Sequence, residues 1–492
     1  MMKERSNTVQ TFWVSLGSLF SFGFAIVSSM IFSRYFLKED YGTYKQVMYV
    51  YNTLLTVFTL GLPRAYSYFL PRVKETQAKS LIKRITNLFF LLGAIFSILL
   101  FIFSPQIASF LKNEDLKIAL RVFSPVPLLM LPTMGLEGIL STYRKTKFIA
   151  AYTITTRVFM LLCVALPVVI FHGNYITAII GFVIASFVAF LLALYLKYMP
   201  VQNAVDEKSD ITYKQIFDFS LPLLYASLWG ILISSADQFF ISRYFGNVVF
   251  AEFSNGSLEL PFVGMITGAS ATVLSPIFSR MSHEKADFRK EVFPLWKSVF
   301  EKTAKLIYPL VIYCLVFADV LMIALYGQQY EVSAIYFRIR LILNFFTLII
   351  FAPLLINAGK VRFYSNVHMF IAITVIIFEY MSVKTINSPY AISVISLLCQ
   401  LSKIFILLIG VTKILQINFL QLFPMKLMAQ ILLPSIVILF AERYLFINLL
   451  HWEVWITLFV SFIFYVILYL VVCIVMKINY IEIIKPLFNK DR

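Results

Sequence analysis

The sequence predicts an all-α membrane protein, with about fourteen transmembrane helices arranged as two parallel six-helix repeats around a central cavity and two further helices at the C-terminus. Three observations lead there. Hydrophobic residues make up 60% of the 492 residues and charged residues only 14%, whereas a soluble domain carries about 25% charge to face water. Apolar stretches of ~20 residues recur from end to end, each long enough to cross a ~30 Å hydrocarbon core. The basic excess behind the formal charge of +17 is concentrated in alternate short loops, the pattern that orients membrane helices. On a soluble chain that excess would suggest nucleic acid; here it reports topology, and no nucleic acid partner is expected. The continuous apolar runs exclude a barrel, whose strands alternate with period two.

The expected spans are 11–33, 43–63, 85–104, 119–141, 149–171, 174–196, 216–242, 250–275, 299–325, 336–357, 363–383, 388–411, 427–446 and 454–476. Lys3 and Arg5 precede the first, no small-residue cleavage site follows it, and Arg34 closes it, so it reads as an uncleaved span. Most of the 42 lysines and arginines then fall on the side of the N-terminus. The richest loops hold Arg64, Arg72, Lys74, Lys79, Lys83 and Arg84 after span two, and Arg280, Lys285, Arg289, Lys290 and Lys297 after span eight. By the positive-inside rule both termini are cytoplasmic. Ser282 to Lys297 is amphipathic and is expected on the cytoplasmic surface.

The polar connector Met199 to Lys214, containing Asp206-Glu207-Lys208-Ser209-Asp210, follows span six and reads as a hinge. The expected domains are therefore an N-terminal six-helix bundle over 1–198, a cytoplasmic linker over 199–214, a C-terminal six-helix bundle over 215–415, and two additional helices with a short tail over 416–492. Cys163, Cys314, Cys399 and Cys473 show no CxxC spacing, and His172, His283, His368 and His451 are scattered, so neither a disulfide framework nor a metal site is indicated. No GxxxxGK[ST] loop is present, so ATP hydrolysis is not expected.

An internal repeat supports the two-bundle arrangement. Ser33-Arg34-Tyr35-Phe36 closes span one, and Ser242-Arg243-Tyr244-Phe245 closes span seven, 209 positions later. The same offset carries span two onto span eight and one basic loop onto the other. Six spans return the chain to the cytoplasm, so the second half starts with the same orientation as the first, giving parallel repeats related by an axis along the membrane normal.

At these residues the chain resembles the Wzx-type polysaccharide flippase family, part of the superfamily that also holds multidrug exporters and lipid II flippases. The match runs through Phe32-Ser33-Arg34, Glu39-Asp40-Tyr41-Gly42-Thr43-Tyr44, Leu60-Gly61-Leu62-Pro63 and Phe69-Leu70-Pro71-Arg72, with Phe219-Ser220-Leu221-Pro222, Asp237, Gly246 and Pro276 as second-half landmarks. The resemblance implies a flippase with no catalytic residue and no cofactor. Its cargo would be a lipid-linked oligosaccharide on undecaprenyl pyrophosphate, moved from the inner to the outer leaflet of a bacterial cytoplasmic membrane. It implies rocking of two lobes about a central cavity, coupling to a proton or sodium ion, and membrane lipid and a polysaccharide polymerase as partners. A cation-coupled multidrug exporter and a lipid II flippase are the alternatives within the superfamily. A membrane glycan polymerase is less favoured, because such enzymes need a large outside loop.

Charges inside the membrane are the candidate transport residues, since each is costly to leave in lipid. Arg157 lies ~15 Å along its helix from Lys147, near the midplane. It either faces the cavity and holds substrate phosphate or pairs with Glu137 across the span 4–5 hairpin. Asp237 and Glu259 lie in the outer halves of spans seven and eight; they either share a coupling ion or are rim residues, one paired with Arg243. Lys45, Tyr49 and Asn52 form an i, i+4, i+7 stripe on span two, and Asn255 and Glu259 an i, i+4 pair on span eight. These stripes would line a glycan-binding cavity or hydrogen-bond between helices. Arg338, Arg340, Glu442 and Arg443 read as solvated anchors at the outer interface.

Overall fold

The computed structural model describes residues 7–284, 287–348 and 351–480. Lys3, Arg5, Lys285, two residues of the tenth expected span and the C-terminal tail beyond 480 lie outside the described residues. All regular structure among the described residues is helical. The chain divides into two compact units, Met1–Ala251 and Glu252–Arg492.

The first unit opens with α1 (Asn7–Tyr35), α2 (Lys38–Phe58), α3 (Pro63–Phe69) and α4 (Glu75–Ile102). α2 ends earlier than expected because Leu60 and Gly61 take positive φ (48° and 71°), and Pro63 then starts α3 in the position a helix accepts proline. α5 (Ser104–Phe110), α6 (Asp115–Phe123), α7 (Pro125–Met130) and α8 (Leu136–Thr142) follow. The fourth expected span is thus not one continuous helix. Pro125, Pro127 and Pro132 each remove a backbone donor, and Gly135 sits at φ 78° before α8. Its pieces pack mainly against α4 and α10 (Tyr175–Tyr198), with α8 also meeting α9 (Thr146–Phe171).

α1 packs along α9, and α9 along α10. The α9–α10 approach is close: a Cβ on Gly181 would fall 2.1 Å from the Cys163 carbonyl oxygen. Small residues allow this contact where lipid offers no hydrophobic drive for association. Leu136, Leu140, Ile149, Ala193 and Leu196 form a buried cluster that joins α8, α9 and α10.

The 199–214 connector is docked on α4. Glu207 N–H donates to the Thr76 carbonyl (3.0 Å), Gln77 Nε2 to Asp210 (2.9 Å) and Ser209 N–H to Ser80 Oγ (3.2 Å), while Arg84 donates to the Ile211 carbonyl.

α11 (Tyr213–Gly256) begins in the first unit and crosses into the second. It reverses at Gly246 (φ 84°, ψ 177°): Tyr49 meets Ser235 before the break and the Phe250 ring after it. Gly246 lies 209 positions after Leu37, the turn residue between α1 and α2, so the repeat read from Ser-Arg-Tyr-Phe is a repeat of two helical hairpins in register. The first limb of α11 runs antiparallel along α2, from Ser220 beside Gly61 to Ser242 beside Gln46.

The second unit continues with α12 (Pro261–His283), α13 (Phe293–Val316), α14 (Ala318–Tyr326), α15 (Ser333–Ile342), α16 (Ala352–Asn357), α17 (Val361–Thr385), α18 (Pro389–Leu415), α19 (Met425–Arg443) and α20 (Val454–Val475). The ninth expected span is broken at Phe317, where α13 and its π-helical lead meet α14 at 76°. Breaking a helix in a membrane frees carbonyls that must find donors. Two arginines supply them: Arg338 Nε to the Leu315 carbonyl (3.2 Å) and Arg443 Nη1 to the Val316 carbonyl (2.7 Å).

α19 and α20 are integral to this unit. Tyr313 of α13 bonds with Ser461 Oγ (3.0 Å), and Tyr465 of α20 donates to the Pro309 carbonyl (3.2 Å) and Ser435 Oγ (2.9 Å). Among the described residues ten helical segments are long and apolar enough to cross a membrane, or eleven with the bent pair. The shortfall from fourteen falls on segments that are polar or broken. α2 carries Lys38, Glu39, Asp40 and Lys45 within 21 residues, the eighth expected span is shared between α11 and α12, and the tenth between α15 and α16.

Candidate functional site

A cavity of about 830 Å³ lies within the first unit, between α1, α3, the broken segment around α8, α9 and α10. Each wall reads as one helical face. α9 contributes Ile149, Tyr152, Thr153, Thr156, Arg157 and Met160, and α1 contributes Ser18, Ser21, Phe22 and Ala25, both at the three- and four-residue spacing of neighbours on a helix. α3 brings Arg64 and Ser67, and the segment after the proline breaks brings Thr133, Met134, Gly135, Glu137 and Gly138.

Arg157 therefore faces a cavity, alongside Glu137. No salt bridge joins Arg157, Arg64 or Glu137 to an opposite charge among the described residues. All three are exposed to the cavity rather than buried in protein. The site holds two guanidiniums, one carboxylate and a ring of hydroxyls from Ser18, Ser21, Ser67, Thr133, Thr153 and Thr156. Guanidinium forks match phosphate oxygens in pairs, and hydroxyls serve a sugar as donor or acceptor.

The other expected residues lie elsewhere. Lys45 Nζ donates to Ser29 Oγ of α1 (3.2 Å) and sits 5.1 Å from the Tyr41 ring centroid. Tyr49 donates to the Ser235 carbonyl (3.4 Å). Asn52 is exposed on the same helix. None of the three lines the Arg157 cavity. Asp237 is buried in the first unit and accepts from the Gln238 N–H (2.8 Å). In the second unit, Asn255 is buried in the last turn of α11, and Glu259 pairs with Arg340 (3.0 Å) with its own side chain largely exposed.

Of the four residues read as solvated anchors, three are in ion pairs. Arg338 and Arg443 both reach Asp319 (3.2 and 2.5 Å), and Arg340 reaches Glu259. Glu442 is not an anchor: it is 2% exposed, with neither carboxylate oxygen hydrogen-bonded.

A second polar assembly, not singled out from sequence, closes the Gly42 end of the α2–α11 contact. Asn113 Nδ2 donates to Thr43 Oγ1 (2.9 Å) and Gln46 Oε1 (2.5 Å), Gln46 Nε2 to Ser242 Oγ (2.8 Å), and Asn247 Nδ2 to the Glu39 carbonyl (3.2 Å). Gly42 permits it, because a Cβ there would sit 2.1 Å from the Asn247 carbonyl oxygen. The network is neutral, so it can be remade without moving charge.

The long apolar helices define a multi-pass membrane protein. Residues 8–335 match the family model described as "Polysaccharide biosynthesis protein", and the chain belongs to that family, as the Ser-Arg, Tyr-Gly and Gly-Leu-Pro landmarks implied. The chain is 24% identical over 429 residues to an uncharacterised membrane protein of Methanocaldococcus jannaschii, covering 82% of this chain and 97% of that one. Its fold is similar to a lipid II flippase, MurJ, in an inward closed conformation, with TM-score 0.72 and 15% identity over 96% of this chain and 99% of that one. It is also similar to an inward-facing multidrug transporter of the MATE family, with TM-score 0.63 and 11% identity over 80% of this chain and 94% of that one.

Proposed function

We propose that the protein is a flippase that carries an undecaprenyl-pyrophosphate-linked oligosaccharide repeat unit from the inner to the outer leaflet of a bacterial cytoplasmic membrane, with both termini cytoplasmic. The observation that carries this reading is the pair Arg64 and Arg157, two guanidiniums without salt-bridge partners in a hydroxyl-lined cavity. An intramembrane charge without a protein partner is retained for a ligand or a pathway, and a pyrophosphate offers each fork its oxygens. Membership of a polysaccharide-biosynthesis family supports a glycan cargo.

The polar stripe Lys45, Tyr49 and Asn52 of the first unit and, separately, Asn255 of the second are assigned to the glycan. Asp237 and Glu259 are assigned to coupling with a proton or sodium ion; protonating Glu259 would release Arg340 from its pair. Alternating access then presents the cavity to each leaflet in turn, and a polysaccharide polymerase receives the product.

The test is the lipid-linked glycan pool of a strain lacking this gene, with the leaflet assigned by enzyme access. Complete repeat units stranded on the cytoplasmic leaflet are the expected result. A normal pool contradicts the reading and points to drug export, and stranded lipid II would move the cargo to peptidoglycan.

A further inference from the structure

Lys197 directly follows the sixth expected span, yet it is wholly buried on the last turn of α10. Its Nζ donates to the Met134 carbonyl (2.6 Å) and the Tyr66 hydroxyl (3.2 Å). It also lies over the rings of Tyr66 and Phe89, 4.7 and 5.6 Å from their centroids. Every one of these contacts is an acceptor or a π face, the surroundings of an ammonium rather than of an amine whose lone pair needs a donor. No carboxylate among the described residues lies within ion-pair distance of it. A lysine at a helix end normally snorkels to water at little cost, and burial without a counter-charge opposes folding.

The position explains the burial. Met134 lines the Arg157 cavity, and Tyr66 stands between Arg64 and Ser67, which line it too. Lys197 is one layer behind that wall. Gly135, at φ 78°, keeps the layer thin, since a Cβ there would fall 2.2 Å from the Tyr66 ring. The Tyr66 hydroxyl is held in turn by Thr86 Oγ1 at 2.8 Å.

We propose that Lys197 is a third positive charge of this cavity, acting from behind its wall, and that it sets a preference for a doubly charged pyrophosphate linkage over a singly charged phosphate linkage. The proposal rests on the reading that the cavity takes a phosphate-bearing lipid. Arg64 and Arg157 touch the ligand and contribute contacts that either linkage can use. Lys197 touches nothing in the cavity, so its contribution scales with the ligand's charge alone. Sealed from water and salt, that charge is weakly screened.

The test uses purified full-length protein and two synthetic undecaprenyl glucosides, one joined through pyrophosphate and one through phosphate. The measurement is the ratio of their affinities. Wild type favours the pyrophosphate, Lys197→Met lowers the ratio about fivefold, and Lys197→Arg restores most of it. Lys197→Gln, which can still donate to both acceptors, replaces the methionine variant if that one does not fold. Tyr66→Phe removes a hydrogen bond but no charge, and is expected to lower thermal stability without moving the ratio. An unchanged ratio in folded Lys197→Met or Lys197→Gln overturns the proposal while leaving the flippase reading intact. If wild type binds neither glucoside better than undecaprenol, the reading beneath it fails as well.

Discussion

The arginines of the two units are used in opposite ways. In the first unit Arg64 and Arg157 open onto a cavity with no salt-bridge partner, and Lys197 lies behind its wall. In the second, Arg338 and Arg443 share Asp319, Arg340 takes Glu259, and two of these side chains also cap the carbonyls freed at the α13–α14 bend. A guanidinium that already has its carboxylate is part of the frame. One that has none is, on the proposed reading, available to an anionic cargo. Intramembrane position alone does not distinguish these roles; the partner does.

The largest effect should come from the frame. Asp319→Ala strands two partly buried arginines at a helix break, and we expect a loss of about 2–3 kcal/mol, seen as a sharp fall in membrane abundance and in the temperature of aggregation in detergent. Abundance near wild type would mean that the carbonyl bonds alone hold the bend. Arg157→Ala should do the reverse: surface glycan falls about tenfold or more while abundance stays near normal. Loss of protein instead would place Arg157 in the frame too. The double variant Asp237→Asn with Glu259→Gln should leave transport insensitive to collapse of the proton or sodium gradient, at a reduced rate; persistent gradient dependence would remove both carboxylates from coupling. Glu137→Gln should have the smallest effect. It removes the cavity's one negative side chain, so affinity for a pyrophosphate lipid should rise about two- to threefold, and weaker binding would show that Glu137 orients an arginine.

Sequence made the helices legible, because a run of apolar residues long enough to cross lipid has few other uses. It located the Gly246 reversal through the 209-position repeat, and it singled out Arg157, which lines the first-unit cavity. It under-read the breaks. Pro125, Pro127 and Pro132 were visible, yet the run 119–141 was apolar enough to pass as one helix. The break at Phe317 has no proline or glycine at it. It is stabilised by Arg338 and Arg443, 21 and 126 positions downstream, and a local pattern cannot carry that. Lys197 was missed for the same reason. Its partners Tyr66 and Met134 lie 131 and 63 positions away, while its neighbours in the chain make it look like a loop residue. Glu442 reads as an anchor from its place near the expected outer interface, but it is buried, while Arg443 pairs with Asp319.

The most direct test of the account is leaflet exchange of a lipid-linked oligosaccharide in proteoliposomes, comparing wild type with the Arg64→Ala, Arg157→Ala double variant at matched reconstitution. We expect exchange with wild type and none above protein-free vesicles with the variant, while both proteins remain monodisperse and equally stable. Equal exchange rates would contradict the claim that the first-unit cavity carries the cargo.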